Sequence, residues 1–318
     1  MSSTKPTITL IQLEYIVALD TYRHFATAAE KCYVTQPTLS MQIKKLEDEL
    51  GVLIFDRSHQ PVIPTDVGVV IISQARTLLK EAQKLEEIVK HYQQRVEGEL
   101  NIGIIPTLAP YLLPLFLGNL ARTYPDLQLN IQEMLTDQIL NELKRDTLDV
   151  GIIAGPISYE GISTQTLFYE EIKIYMHPNH RFVSQKEILM NDVASPDIWL
   201  LSEGHCFRSQ VLNLCAYQDT QPKAIAIRYN SGSLEALKKM VDIEGGFTLL
   251  PELAVNDIPE EKKWQVRNFS GKIPMREVCL AYARNFAKAK LLKILAEHIQ
   301  KAVPTSMTDA KRGVLVEI

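Results

Sequence analysis

The stretch FATAAEKCYVTQPTLSMQIKKLEDELGVLIFDR, residues 25–57, decides how this chain is read. Its first part is a short Ala-rich helix with Ala28, Ala29 and Cys32 on the inner side, small enough to let another helix approach closely. A second helix follows with a clear start and stop: Thr35 caps, Pro37 fits the first turn and Gly51 terminates. Leu39, Ile43, Leu46 and Leu50 form its apolar stripe. The opposite face carries Pro37, Met41, Lys44 and Lys45, with Gln36 and Thr38 near the N-terminus.

Upstream, LIQLEYIVALDTYRH (10–24) spaces Leu13, Ile16, Val17 and Leu19 as a helix does, not as a strand. Three short helices, the last with a polar and basic face, fit a helix-turn-helix whose final helix enters the major groove. Gln and Thr there would bond base edges, while Lys and the helix N-terminus would hold phosphates. Such a pattern also suits a plain helical bundle with a solvated face. Charge does not separate the two readings, since residues 1–65 hold six Lys and Arg against seven Asp and Glu and the whole chain carries −4.

After Gly51, VLIFDRSHQPVIPTDVG reads as two short β runs around a proline turn, a wing beside the helices. A long helix then runs from Thr65 to about Gln94. Ala75, Leu78, Ala82, Leu85, Val89 and Tyr92 alternate spacings of three and four, a coiled-coil seam on about 45 Å of helix. So narrow a seam calls for a partner, most simply a second copy, which would set two recognition helices on successive half-sites.

Residues 25–57, followed by PTDVG, resemble the winged helix-turn-helix of LysR-type transcriptional regulators, and the likeness is dense over residues 8–95. The resemblance implies promoter DNA as a partner, with Thr35, Gln36, Pro37, Thr38, Met41, Lys44, Lys45 and Arg57 at the DNA. It also implies self-association to a homodimer or homotetramer and work with RNA polymerase. The sequence departs from the pattern at SHQ (58–60), less basic than the usual wing, and at Pro64, where an apolar residue is common.

From Gly98 the texture changes to alternating strands and helices. LNIGIIP, LQLNIQE, LDVGIIA and GFTLLP read as strands, with helices around 110–124, 137–146, 206–217 and 233–241. This alternation predicts a mostly parallel sheet with sites at strand C-terminal ends. By the same resemblance the fold is an N-terminal all-α winged helix-turn-helix (8–65) with a coiled-coil linker helix (66–95). An α/β regulatory domain (98–303) follows, with two periplasmic-binding-protein-like subdomains, 98–168 with 275–303 and 169–272. Residues 304–318 read as a loose tail.

The chain of 318 residues has only four cysteines, and two of them, Cys206 and Cys215, share the segment EGHCFRSQVLNLC. With Ser202 as cap, Cys206 falls at a helix start, where the dipole, His205 and Arg208 would favour a thiolate. A thiolate attacks peroxide to give a sulfenic acid that a second thiol, Cys215, condenses to a disulfide. Nine helical residues span about 13.5 Å, against the roughly 4.4–6.8 Å between Cα atoms that a disulfide needs. Pairing would therefore unwind the helix and act as a switch. The opposing reading is that both are small buried hydrophobes, as Cys32 and Cys279 (in REVCLAYA) are read.

EGHCFRSQ…LC, with IPTLAPYLLP (105–114) and GFTLLP (246–251), is similar to the peroxide-sensing activators of the LysR family along the whole chain. That resemblance implies a peroxidatic Cys206, a resolving Cys215, Thr107 and Thr136 lining the peroxide pocket, and His205 and Arg208 in support. It implies hydrogen peroxide as signal, control of oxidative-stress genes, and a glutaredoxin- or thioredoxin-type reductant for resetting. Ser209 stands where an acidic residue is common.

No P-loop, HExxH, GxSxG or paired CxxC is present, and HPNH (177–180) reads as a surface turn rather than a metal site, so no enzyme, cofactor or metal is expected. No apolar run reaches the ~18 residues of a membrane helix, and the start lacks a signal-peptide pattern, which predicts a cytoplasmic, nucleoid-associated protein with no membrane partner. Two rivals stay open: a regulator whose cleft, with Thr107, Thr136 and NSGSLE (230–235), takes a metabolite, and a thiol peroxidase.

Overall fold

The computed structural model describes residues 8–92, 96–215, 229, 231–284, 286 and 288–316, and the chain divides between 92 and 96 into two compact units. The first holds α1 (Leu10–Tyr22), α2 (Phe25–Lys31) and α3 (Gln36–Leu50), the hairpin β1 (Phe55–Asp56) and β2 (Ile63–Pro64), and α4 (Asp66–Tyr92). Leu13, Ile16, Leu19, Ala28, Ala29, Leu39, Ile43 and Leu46 close one core with Ile54, Phe55, Ile72 and Ala75. Each large aliphatic side chain buried there contributes roughly 1.5–3 kcal/mol. Gly68, in the PTDVG motif, is required by close approach: a Cβ there would lie 2.0 Å from the Ile54 carbonyl oxygen.

The seam on α4 starts later along the helix than its spacing predicts. Ala75 is buried in the unit's own core, because the first half of α4 packs on α1. Leu78 and Leu85 remain exposed, Leu85 at 67%. The side chains of Val89 and Tyr92 lie outside the described residues.

In the second unit β3 (Gly98–Ile104) lies between β4 (Leu127–Glu133) and β5 (Val150–Gly155), all parallel, with α5 (Ala109–Thr123) and α6 (Thr136–Lys144) as crossovers. β6 (Ile162–Met176) is one unbroken strand that follows β5. The chain then adds β7 (Glu187–Ile188), β8 (Ile198–Trp199), α7 (Cys206–Cys215), α8 (Leu234–Glu244), β9 (Phe247–Pro251), α9 (Glu252–Asn256), β10 (Val266–Phe269), β11 (Pro274–Ala283), α10 (Ala289–Ala302) and β12 (Val314–Leu315).

β11 runs antiparallel between β5 and β6, and the other half of β6 pairs antiparallel with β9 and β10. The sheet is therefore mixed rather than mostly parallel. Two long strands, β6 and β11, carry the chain across it without the helical crossover that parallel neighbours need. The expected subdomain boundary at 168/169 falls inside β6.

The C-terminal segment is not loose. Met307 is fully buried, Arg312 binds Glu252 at 2.9 Å and Glu171 at 2.5 Å, and β12 adds to β11. Local polarity suggested a tail, but tertiary partners far back in the chain hold it.

Candidate functional site

The N-terminus of α3 is built as its sequence implies. The Thr38 N–H donates to Thr35 Oγ1 at 3.4 Å, and the two hydroxyls lie 2.8 Å apart. Gln36, Pro37, Met41, Lys44 and Lys45 are exposed along one side, and Thr38 is half-buried. Lys45 reaches Glu49 only at 3.9 Å, a weak surface pair.

Arg57 is held differently from the rest. Its Nη2 donates to Glu47 Oε2 at 2.7 Å, and its guanidinium lies 5.5 Å from the Phe25 ring centroid. Glu47, one of an acidic run, turns inward: its Oε1 accepts the N–H groups of Ile54 (2.9 Å) and Phe55 (3.1 Å). One buried carboxylate thus fastens the β1–β2 hairpin and its lead-in to α3. A short carboxylate run reads as a solvated helix end, and only the missing donors of a later loop could have identified Glu47.

In the second unit, the turn Glu203-Gly204 leads into α7, which starts at Cys206. Gly204 has φ 88°, a left-handed conformation that favours glycine, and Leu135 Cδ1 stands 3.1 Å from where its Cβ would be. The starts of α6 and α7 therefore meet. Ser202 is not the cap; its N–H donates to the Ser231 carbonyl at 2.7 Å.

Cys206 is buried and free. Cys215 closes α7, its side chain outside the described residues. The helix is continuous between them, so the expected obstacle to direct pairing stands.

Two buried polar groups near Cys206 have no hydrogen-bond partner among the described residues. One is Thr136 Oγ1, on the first residue of α6; the other is the Gln210 carboxamide, fully buried one turn along α7. Cys206 and Gln210 are four apart on the helix and so are surface neighbours on it. Buried donors and acceptors are rarely left unmatched, and a small molecule that both donates and accepts would satisfy them.

Thr107 is buried. Its Oγ1 accepts from Arg276 Nη1 at 3.0 Å and its carbonyl from Nη2 at 3.2 Å. Arg276 also donates through Nε to Glu170 Oε2 at 2.7 Å, and Glu170 Oε1 accepts the Leu253 N–H at 2.9 Å. The guanidinium lies 5.3 Å from the centroid of the Phe207 ring, beside Cys206. Arg276 and Glu170 escaped the sequence reading because each sits in an apolar strand with no motif around it. Their register pairing, Arg276↔Glu170, exists only once β6 and β11 align.

His205 is buried, and burial pushes its pKa below the ordinary imidazole value. A neutral ring supplies no positive charge, contrary to the expected electrostatic support. Its Nε2 packs 3.1 Å from where Gly232 would carry a Cβ. Arg208 Nη1 donates to the Leu201 carbonyl at 2.9 Å. In NSGSLE, residue 230 lies outside the described residues, Ser233 caps α8, and the Ser231 hydroxyl donates to the Ser233 carbonyl and accepts the Ser233 N–H.

The His180 side chain in the HPNH turn is only 6% exposed, with Nε2 2.8 Å from Asp197 Oδ2 and its ring packed on Phe182 and Phe247. Among the described residues no cluster of His, Cys, Asp and Glu is arranged to hold a metal, and no helix is long and apolar enough to cross a membrane.

Residues 10–69 match the family Bacterial regulatory helix-turn-helix protein, lysR family, and residues 93–304 match the LysR substrate binding domain. The hydrogen peroxide-inducible genes activator of Pectobacterium carotovorum is 39% identical over 255 residues, covering 79% of this chain and 81% of its own. Full-length OxyR from Pseudomonas aeruginosa, solved as a Cys-to-Asp variant, superposes with a TM-score of 0.77 at 36% identity, covering 92% of this chain and 97% of its own. A hydrogen-peroxide-bound OxyR mutant from Corynebacterium glutamicum gives 0.59 at 30% identity, covering 95% and 94%. Helix-turn-helix and regulatory half together place this chain in the LysR family of transcriptional regulators.

Proposed function

We propose that this protein binds promoter DNA and senses hydrogen peroxide through Cys206, controlling oxidative-stress genes rather than turning over a substrate. The observation that carries the reading is the pair of unmatched buried polar groups: Thr136 Oγ1, which follows Leu135 at the turn into α7, and the Gln210 carboxamide, one helical turn after the buried free thiol of Cys206. Peroxide is small, and each of its oxygens donates and accepts, so it suits such a pocket. The names of the relatives agree.

Peroxide enters beside Cys206, positioned by the Thr107 hydroxyl, which Arg276 and Glu170 fix, and by Thr136. The Cys206 sulfur takes one oxygen as the O–O bond breaks, giving sulfenic acid and water. The Cys215 thiol then displaces that oxygen as a second water, forming the Cys206–Cys215 disulfide. This step unwinds α7, whose continuous helix otherwise keeps the cysteines about 13.5 Å apart. His205 and Arg208 hold the lead-in to α7, and a dithiol reductant of glutaredoxin or thioredoxin type resets the pair.

The subdomains, 98–168 with 275–303 and 169–272, move against each other about β6 and β11 as α7 repacks. Two copies joined along the exposed leucines of α4 present Thr35, Gln36, Pro37, Thr38, Met41, Lys44 and Lys45 to successive half-sites, with Arg57 at the wing. Pairs of dimers meet RNA polymerase at the promoter.

The test is thiol trapping and peptide mapping after one equivalent of peroxide is added to the reduced protein. A Cys206–Cys215 disulfide lost in Cys206→Ser and in Cys215→Ser supports the reading. Free Cys206 after treatment overturns it.

A further inference from the structure

Arg276, which holds both oxygens of Thr107, sits where β11 changes neighbours. On one side β6 pairs with it from Met275 onward. On the other, β5 last pairs at Gly155↔Glu277, and β12 takes over beside Met275 and Pro274. The Val314 N–H donates to the Ile273 carbonyl at 2.8 Å, and the Val316 N–H to the Met275 carbonyl at 2.9 Å. Residues 314–316 thus hold the backbone of β11 up to Arg276.

The same segment reaches the carboxylate that Arg276 binds. Glu170 and Glu171 are consecutive on β6, so their side chains leave opposite faces of the strand. Arg276 takes Glu170 from one face. Arg312 Nη2 takes Glu171 at 2.5 Å, and its Nη1 and Nη2 fork onto the two oxygens of Glu252 at 3.1 and 2.9 Å. Glu252 also accepts the Glu171 N–H at 3.1 Å, and the next residue, Leu253, donates to Glu170. Each partner of Arg312 is therefore one residue away from Glu170 or from its donor. None of the three side chains is more than 18% exposed, so solvent screens these pairs less than it screens a surface pair.

We propose that Arg312 is a positioning residue for the peroxide reaction: by clamping Glu171 and Glu252 it fixes Glu170, and through Glu170 the Arg276 guanidinium and the Thr107 hydroxyl. The inference rests on the reading of Cys206 as the peroxide-reactive thiol with Thr107 at its pocket. The guanidinium that bonds Thr107 also lies over the ring of Phe207, the residue after Cys206, so a shift of Arg276 reaches Thr107 and the first turn of α7 together. Glu171 and Glu252 both meet the one Nη2 atom of Arg312. Without it the two carboxylates repel each other, and β6 and α9 move apart around Glu170.

The experiment measures two rates at Cys206 in full-length protein carrying Cys215→Ser: sulfenic acid formation with hydrogen peroxide, trapped by dimedone, and alkylation by iodoacetamide. Alkylation uses the thiol but not the Thr107 hydroxyl. Arg312→Ala should slow the peroxide rate by about tenfold and leave alkylation unchanged. Arg312→Lys keeps the charge but not the fork, so it should recover part of the loss, and it serves where Arg312→Ala does not fold. Phe182→Leu, in the cluster around His180, controls for lost stability alone. A parental peroxide rate in the folded Arg312 variants, or a fall shared by alkylation or by Phe182→Leu, overturns this proposal while leaving the peroxide reading intact. A Cys206 that peroxide leaves unmodified in the parent as well overturns both.

Discussion

The Arg276 guanidinium meets the Glu170 carboxylate at 2.6 Å with neither side chain exposed to solvent, and the same guanidinium holds both oxygens of Thr107. Desolvating two charges is costly, and removing one partner strands the other. Glu170→Gln should destabilise the regulatory half by about 3–5 kcal/mol in urea unfolding. Arg276→Lys keeps a charge for Glu170 but loses the planar fork that fixes Thr107. Its expected effect is peroxide oxidation of Cys206 slower by about tenfold to a hundredfold, with stability less affected than in Glu170→Gln. Unchanged oxidation kinetics would separate Thr107 from the chemistry.

Glu47 satisfies two wing N–H groups and Arg57 from inside the helix. Glu47→Ala leaves those donors without their acceptor, a loss of about 1–3 kcal/mol per stranded group. Thermal unfolding of the DNA-binding half should show it. DNA affinity should fall alike for preferred and random sequences, since the exposed side of α3 is untouched.

Exposed α3 residues should divide by chemistry. Lys44→Ala should weaken binding to all sequences and lower the slope of log affinity against log salt by about 1. Gln36→Ala should instead relax preference at one base pair, by about 1–3 kcal/mol of discrimination. Affinity measured across salt concentrations and single-base operator variants distinguishes the two, and a sequence-uniform loss for Gln36→Ala would remove it from base readout.

Burial works to raise the Asp197 pKa, but hydrogen bonds from His180 and Ser195 override it and hold the carboxyl at about 2. The folded value lies below the ordinary 3.8. The stabilisation is therefore present above about pH 4 and lost as pH falls toward 2. Asp197→Asn should remove roughly 2 kcal/mol at neutral pH and flatten the acid limb of the stability curve. An acid limb identical to the parent's would assign the low-pH loss to other carboxylates.

Local grammar was enough for much of this molecule. The cap at Thr35, the apolar stripe Leu39, Ile43 and Leu46, and the strand LQLNIQE lie where spacing and capping put them. What was not legible depends on pairing distant segments. β6 was unseen because half of it pairs with β11 and half with β9, and neither partner adjoins it in sequence. The polar HPNH turn predicts a surface position for His180, whereas Asp197, Phe182 and Phe247, distant or apolar, cover its side chain. The residues themselves pointed to Cys206 and Cys215, whereas only the resemblance to the LysR family singled out Thr107 and Thr136. The Gln210 carboxamide and the Arg276–Glu170 pair needed the helix and sheet in place.

The central claim, that oxidation of Cys206 changes how the protein grips DNA, is tested most directly by footprinting. One DNA fragment, selected with reduced protein from a random-sequence pool, would be footprinted with reduced and with peroxide-treated protein. The expected result is a protected region that shifts or changes length on oxidation, returns after dithiol reduction, and stays fixed in Cys206→Ser. Identical footprints from protein whose Cys206–Cys215 disulfide has been verified by peptide mapping would contradict the account.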